Sequence, residues 1–195
     1  ATGVGGTLEK PNKNKLIIFL CVDDSDQSYN FVCSMLYSQA LTILMRMADN
    51  NLGGSLPIPL ELWLDEFYAG ARPADCAQLM GVIRSRNISM IPILQSVSQL
   101  KDLYQGEKAE IIHDNCPIFW FGGCGQGAIE TQKAISELLG KATVDIASDG
   151  SNGNNRSNNY QKAGRELMTP AEVKNMNKHN CIVFLEDERP IFDIK

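Results

Sequence analysis

Short apolar runs recur along this chain at Leu16–Val22, Leu60–Leu64, Ile88–Leu94 and Cys116–Phe121, separated by segments of helical length. That alternation constrains the fold more than any other feature. Brief strands that are apolar on both faces belong to a parallel sheet covered by helices, and strand–helix–strand repeats build such a sheet by right-handed crossovers. The expected fold class is therefore α/β, a mostly parallel sheet with helices on both faces. A further strand is expected at Cys181–Leu185, the last one in the chain.

Between the strands, Ser28 to Asp49 is apolar on nearly all sides (Phe31, Met35, Leu36, Leu41, Ile43, Leu44), as expected of a long helix packed on a sheet. Gly53, Gly54 and two prolines make Asn50–Pro59 a loop. Pro73 opens a helix with Cys76, Leu79, Met80 and Ile83 at helical spacing, and Ser98–Asp114 also reads as helical. Gln126–Leu139 is an amphipathic helix with Gly140 where a left-handed cap is wanted. Thr169-Pro170-Ala171-Glu172 combines an N-cap, a proline at the first helical position and an early acid, and starts a short helix toward Met176. Residues 1–15, rich in Gly, Lys and Asn, read as a linker or cloning remnant, and residues 16–195 as one domain. Within it the polar stretch 147–159 is expected to be a flexible loop.

The 195 residues are enough to bury a full core, and 44% hydrophobic with 21% charged residues is ordinary for a soluble globular protein. The apolar runs are too short to cross a bilayer, and no basic-then-apolar leader is visible. With 18 basic and 23 acidic side chains the net charge is −5, which supplies no global attraction toward nucleic acid or anionic lipid. The six cysteines form no CxxC pair and mostly sit in apolar segments, which fits buried reduced thiols. His113 and His179 are far apart, and Asp23-Asp24-Ser25-Asp26 lacks the spaced ligands and closing Glu of a calcium loop, so it reads as an acidic turn before a helix. Trp63 and Trp120 fall in strands and are expected in the core rather than as stacking platforms for bases.

Leu60-Glu61-Leu62-Trp63-Leu64 ends abruptly in Asp65-Glu66. A buried parallel strand delivers such acids to the carboxyl edge of the sheet, where ligands bind. This has the form of a Walker B motif: Asp65 would hold a Mg²⁺ ion, and Glu66 would orient or deprotonate the water that attacks a γ-phosphate. An Asp-Glu pair after an apolar run is also a common strand end. What raises it above that is the order downstream, with Arg84 and Arg86 closing the next helix, Gln95 closing the next strand and Ser98-Gln99-Leu100 starting the helix beyond.

Taken together, Leu64-Asp65-Glu66-Phe67, Ile83-Arg84-Ser85-Arg86-Asn87-Ile88-Ser89 and Gln95-Ser96-Val97-Ser98-Gln99-Leu100 closely resemble the TraG/VirD-type coupling proteins of conjugation and type IV secretion. The resemblance extends upstream to Phe31–Gln39, downstream to Ile135–Thr143 and Gly164–Thr169, and covers most of residues 16–195. It implies a membrane-anchored, homo-hexameric RecA-like ATPase at the cytoplasmic face of the bacterial membrane. Such a protein delivers relaxase-bound single-stranded DNA to a secretion channel, with relaxase, relaxosome proteins and channel subunits as partners. By the same resemblance Gln95 would sense the γ-phosphate. Arg84 would be an arginine finger for a neighbouring subunit, leaving Arg86 structural or in contact with the strand edge.

This chain departs from the family in one respect. No Gly-x-x-x-x-Gly-Lys-Ser/Thr run is present, so backbone amides and a lysine to cradle phosphates are lacking. The resemblance covers only the Walker B half of the domain. ATP and Mg²⁺ are expected in the intact protein, and no tight nucleotide binding or turnover is expected from this chain alone. A non-catalytic docking module for a relaxase or accessory factor, acting through the polar stretch beyond Ala147, is the second reading. A single-domain hydrolase on a flavodoxin-like sheet is the third.

Overall fold

The computed structural model describes residues 16–22, 27–152 and 155–195, with backbone only at 51, 145–152 and 155–161. The linker assigned to 1–15 and the acidic turn Asp23–Asp26 lie outside the described residues. The chain divides into two units, residues up to Gln95 with Gln99–Cys116, and Ser96–Ser98 with Pro117–Lys195.

In the first unit a 3-10 turn leads into α1 (Asn30–Asn51), the helix expected from its apolar pattern. Strands β1 (Leu60–Leu64) and β2 (Ile88–Pro92) pair in parallel, with Leu60 opposite Ile88 and Leu64 opposite Pro92. The crossover between them is α2 (Cys76–Ile83) followed by a 3-10 turn at Arg84–Arg86. Pro73 stands three residues ahead of α2 instead of opening it, because Asp75, in the left-handed region, precedes the first helical residue. The expected helix Ser98–Asp114 is two helices, α3 (Val97–Leu103) and α4 (Glu107–Asp114), broken where Gly106 takes φ 64 and ψ −138. Leu41, Ala48, Leu64, Phe67, Cys76, Met80, Ile83, Ile88 and Ile112 form the core of this unit.

Register between β1 and β2 is set just before they begin. Asn87, left-handed at φ 61, gives its backbone oxygen to the amide of Leu60 at 3.1 Å. Its side-chain amide donates to Leu56 O at 3.0 Å. Arg86 reaches back to α1 and grips Asp49 with two nitrogens, at 2.9 and 3.0 Å. Both contacts bring the amino end of β2 against the chain that feeds β1.

In the second unit, β3 (Ile118–Phe121) pairs antiparallel with β6 (Asn180–Leu185), which pairs antiparallel with β7 (Ile191–Ile194). So Cys181–Leu185 is a strand, but β7 follows it. Helix α5 (Ile129–Leu139) ends as expected at Gly140, φ 75, whose N–H reaches Ser136 O and Glu137 O. Helix α6 (Pro170–Lys174) carries a full capping box: the Thr169 hydroxyl accepts from the Glu172 N–H, and the Glu172 carboxylate accepts from the Thr169 N–H. The buried polar residues of α5 are satisfied, with Gln132 donating to Gly125 O and Gln126 O and Ser136 to Met168 O.

The chain is α/β as expected, and among the described residues the parallel pairing is that of β1 with β2. Three further expectations differ from the structure. Residues 147–159 were expected as a loop, yet backbone pairing runs through β4 (Lys141–Asn152) and β5 (Asn155–Glu166) as far as Asn152 opposite Asn155. Polar Asn, Ser and Gly residues do not prevent a ladder once the flanking segments are in register, since the bonds are made by backbone. Leu16–Val22 was expected to be a buried strand, yet it has no strand partner among the described residues, and Phe19 is 82% exposed. Trp63 and Trp120 are 65% and 56% exposed. Period-two alternation sends Leu60, Leu62 and Leu64 to the core and Trp63 with Glu61 to the opposite face, where the indole N–H donates to the Glu61 carboxylate at 3.2 Å.

The cysteines divide similarly. Cys76 and Cys181 are buried and Cys33, Cys116 and Cys124 partly so, but Cys21, in the uncovered apolar run, is exposed. Helix α1 also has an open side, with Phe31, Val32, Met35, Leu36 and Ile43 exposed. By length and composition alone Gln27–Asn50 could cross a membrane, a property it shares with core helices of soluble proteins.

Candidate nucleotide site

The parallel pair delivers its acids at one edge. Past Leu64 the two strands stay joined, since Ile93 N–H donates to Leu64 O and Phe67 N–H to Ile93 O, each at 3.0 Å. Asp65 and Glu66 lie between these two bonds and stand exposed at the carboxyl end. Gln95, two residues beyond Ile93, comes alongside and donates its Nε2 to the Glu66 carboxylate, at 3.1 Å to Oε1 and 3.4 Å to Oε2. Its own amide donates to Gln99 Oε1 at 2.8 Å, which ties the strand end to α3. The structure thus brings together Glu66 and Gln95, residues 29 apart in the chain.

Asp65 turns one carboxylate oxygen onto the Glu66 N–H at 3.0 Å. An exposed carboxylate is a hard oxygen donor suited to Mg²⁺, so the donor chemistry fits the ion that a Walker B aspartate would hold. The phosphate side has no counterpart here, because the sequence contains no lysine-bearing glycine loop.

Arg84 and Arg86 are not brought to this edge. They precede β2, whereas Gln95 follows it, so five strand residues, roughly 16 Å, separate them from the acids along the sheet. Arg86 is occupied by Asp49 and by Val82 O at 2.7 Å, the first of the two alternatives expected of it. Arg84 is exposed, and among the described residues its side chain has no hydrogen-bond or ionic partner.

Sequence reasoning missed the side chains that secure the loop after Glu66. The Tyr68 hydroxyl donates to Asp102 on α3 at 2.6 Å, and holding that proton against a carboxylate raises the Tyr68 pKa. Arg72 donates to the backbone oxygens of Phe67 and Tyr68 at 2.8 and 2.7 Å. Beneath the loop, burial pushes the Cys76 thiol up to about 11 and the Tyr104 hydroxyl to about 12. Cys76 is therefore a neutral, inert core thiol at physiological pH. The only signals for Tyr68 and Arg72 in the sequence were their nearness to the acids and to Gly70.

A family model described as the TraM recognition site of TraD and TraG matches residues 59–178. Among solved structures, the chain is similar to the bacterial conjugative coupling protein TrwBdeltaN70 in an unbound form, with 19% identity and a TM-score of 0.65 over 86% of this chain. It is likewise similar to the plasmid coupling protein TrwB in complex with the ATP analogue ADPNP (18%, TM-score 0.63, 86% of this chain) and with ADP and Mg²⁺ (20%, 0.61, 87%). In each case the chain spans 38% of the length of the protein it matches. A comparison with curated proteins gave no significant match.

Proposed function

The chain belongs to the family of the TraM recognition site of TraD and TraG, and on that premise we propose that it is the Walker B half of an ATP-driven motor in a conjugative coupling protein. The intact protein would deliver relaxase-bound single-stranded DNA to a type IV secretion channel as a membrane-anchored homo-hexamer at the cytoplasmic face. The observation that carries the reading is the contact of Gln95 with Glu66 at the carboxyl edge of a parallel pair, beside Asp65.

Each residue then has a distinct role. Asp65 would bind Mg²⁺ through its carboxylate. Glu66 would orient the attacking water and take its proton at a carboxylate oxygen. Gln95 holds Glu66 from the next strand and would report the γ-phosphate. Bound Mg²⁺ supplies charge neutralisation for phosphoryl transfer. Arg84, at the opposite edge and without a side-chain partner among the described residues, would serve a neighbouring subunit's site as an arginine finger, since it is too far along the sheet to serve its own. In the full-length protein, Glu66→Gln is expected to lower ATP turnover by about 10²–10⁴-fold while sparing ATP binding. Unchanged turnover would remove Glu66 from the catalytic role.

The family's description favours a second role for the same chain, recognition of an accessory factor of the TraM kind. If the polar stretch 147–159 carries that contact, deleting it from the full-length protein abolishes binding of the accessory factor and leaves basal ATP turnover intact. Retained binding would move the contact elsewhere.

A further inference from the structure

Glu66 has φ 47, in the left-handed region that a residue with a side chain seldom occupies. Backbone angle fixes the direction in which Cβ leaves the chain, so this conformation aims the carboxylate at Gln95. A strained residue of this kind persists where its surroundings over-determine it. Four contacts do so here. Glu66 O accepts the N–H groups of Ala69 and Gly70 at 3.0 and 2.7 Å. Gly70 lies so close that a Cβ there would come within 2.9 Å of Glu66 O and 3.2 Å of Asp65 O. Phe67, fully buried, anchors the turn in the core. Arg72 closes it, donating Nη1 to Phe67 O at 2.8 Å and Tyr68 O at 2.7 Å, with a longer 3.4 Å approach to Gly70 O. Its guanidinium carbon also sits 5.8 Å from the centre of the Phe67 ring.

We propose that Arg72 is a positioning residue for the candidate site: it clamps the Asp65–Gly70 loop so that Glu66 keeps the conformation that presents its carboxylate to Gln95. The proposal rests on the reading of Glu66 as the residue that orients the attacking water. A planar guanidinium can stack on Phe67 while donating to carbonyls beside it, which a lysine ammonium cannot reproduce. Arg72 touches neither substrate nor metal in this role and acts through the loop.

The test uses the full-length protein and four variants, Arg72→Ala, Arg72→Lys, Gly70→Ala and Glu66→Gln. ATP turnover is measured against ATP concentration, and amide hydrogen exchange is measured in the peptide covering residues 65–72. Arg72→Ala is expected to lower kcat by about ten- to a hundredfold with KM changed less than about twofold, and to speed exchange in that peptide alone. Arg72→Lys should recover only part of the loss. Gly70→Ala, which keeps Arg72, should show the same separation of kcat from KM, so the clamp is testable even if Arg72→Ala folds poorly. Exchange at 65–72 as slow as in the parent protein, or full recovery in Arg72→Lys, overturns the proposal. If Glu66→Gln keeps parental turnover, the water-orienting reading fails instead, and the exchange measurement alone decides whether Arg72 clamps the loop.

Discussion

Glu172 shows how a single exposed side chain can tie down a helix start. Its carboxylate takes the Thr169 N–H at 2.7 Å and the Thr169 hydroxyl at 3.0 Å, and Arg165 approaches at 2.9 Å. The backbone bond first, then the hydroxyl and then the Arg165 charge hold its pKa below the usual 4.5. A carboxyl depressed in the folded state stabilises above its unfolded pKa and loses that contribution as pH falls through the folded one. Urea midpoints measured from about pH 6 down to about pH 3 should therefore fall less steeply for Glu172→Gln than for the parent. Equal slopes would show that the capping carboxylate carries no pH dependence. Removing the other half of the box, Thr169→Ala, should cost about 1 kcal/mol in the same denaturation experiment. Both residues were legible in the sequence because a capping box has a fixed spacing. Tyr68, Asp102 and Arg72 were not, since a contact such as Tyr68 to Asp102 joins residues 34 apart with no period to mark it.

Among the elements, β1, β2 and β3 were readable from their apolar runs, and so the sequence alone puts the acids and Gln95 at one edge. What escaped was the physics that runs do not encode. The ladder of β4 and β5 is built on backbone bonds between polar residues, and the break between α3 and α4 depends on one conformation of Gly106. Gly140 occupies a similar position after α5, at φ 75 and ψ −158, a combination nearly restricted to glycine. A methyl group there would meet no atom within 4 Å, so the cost of Gly140→Ala is backbone strain alone, about 1–3 kcal/mol. A loss near zero on urea titration would mean that the turn relaxes into an ordinary conformation. Trp63 and Trp120 were wrongly expected in the core for a related reason: a strand's sequence reveals two alternating faces but not which of them another layer covers.

At the scale of the molecule, the exposed side of α1 and the uncovered run Leu16–Val22 present apolar surface of the kind that helices and neighbouring strands cover in an α/β sheet. The isolated chain should accordingly self-associate as concentration rises, seen as increasing mass by size exclusion with light scattering, and should become monodisperse when co-expressed with the remainder of its own domain. A monomeric species at all concentrations would mean that these faces are satisfied within the chain. The parallel register of β1 and β2 has a genetic corollary, because it separates Glu66 and Arg84 on opposite edges. If the intact protein forms the ring proposed above, two defective alleles, one carrying Glu66→Gln and the other Arg84→Ala, should complement each other when co-expressed as full-length proteins, since some junctions in a mixed ring would unite an intact acid from one product with an intact arginine from the other. Transfer-deficient cells carrying both alleles should regain conjugation that neither allele supports alone, and a persistent deficiency would place both residues in the service of the same subunit.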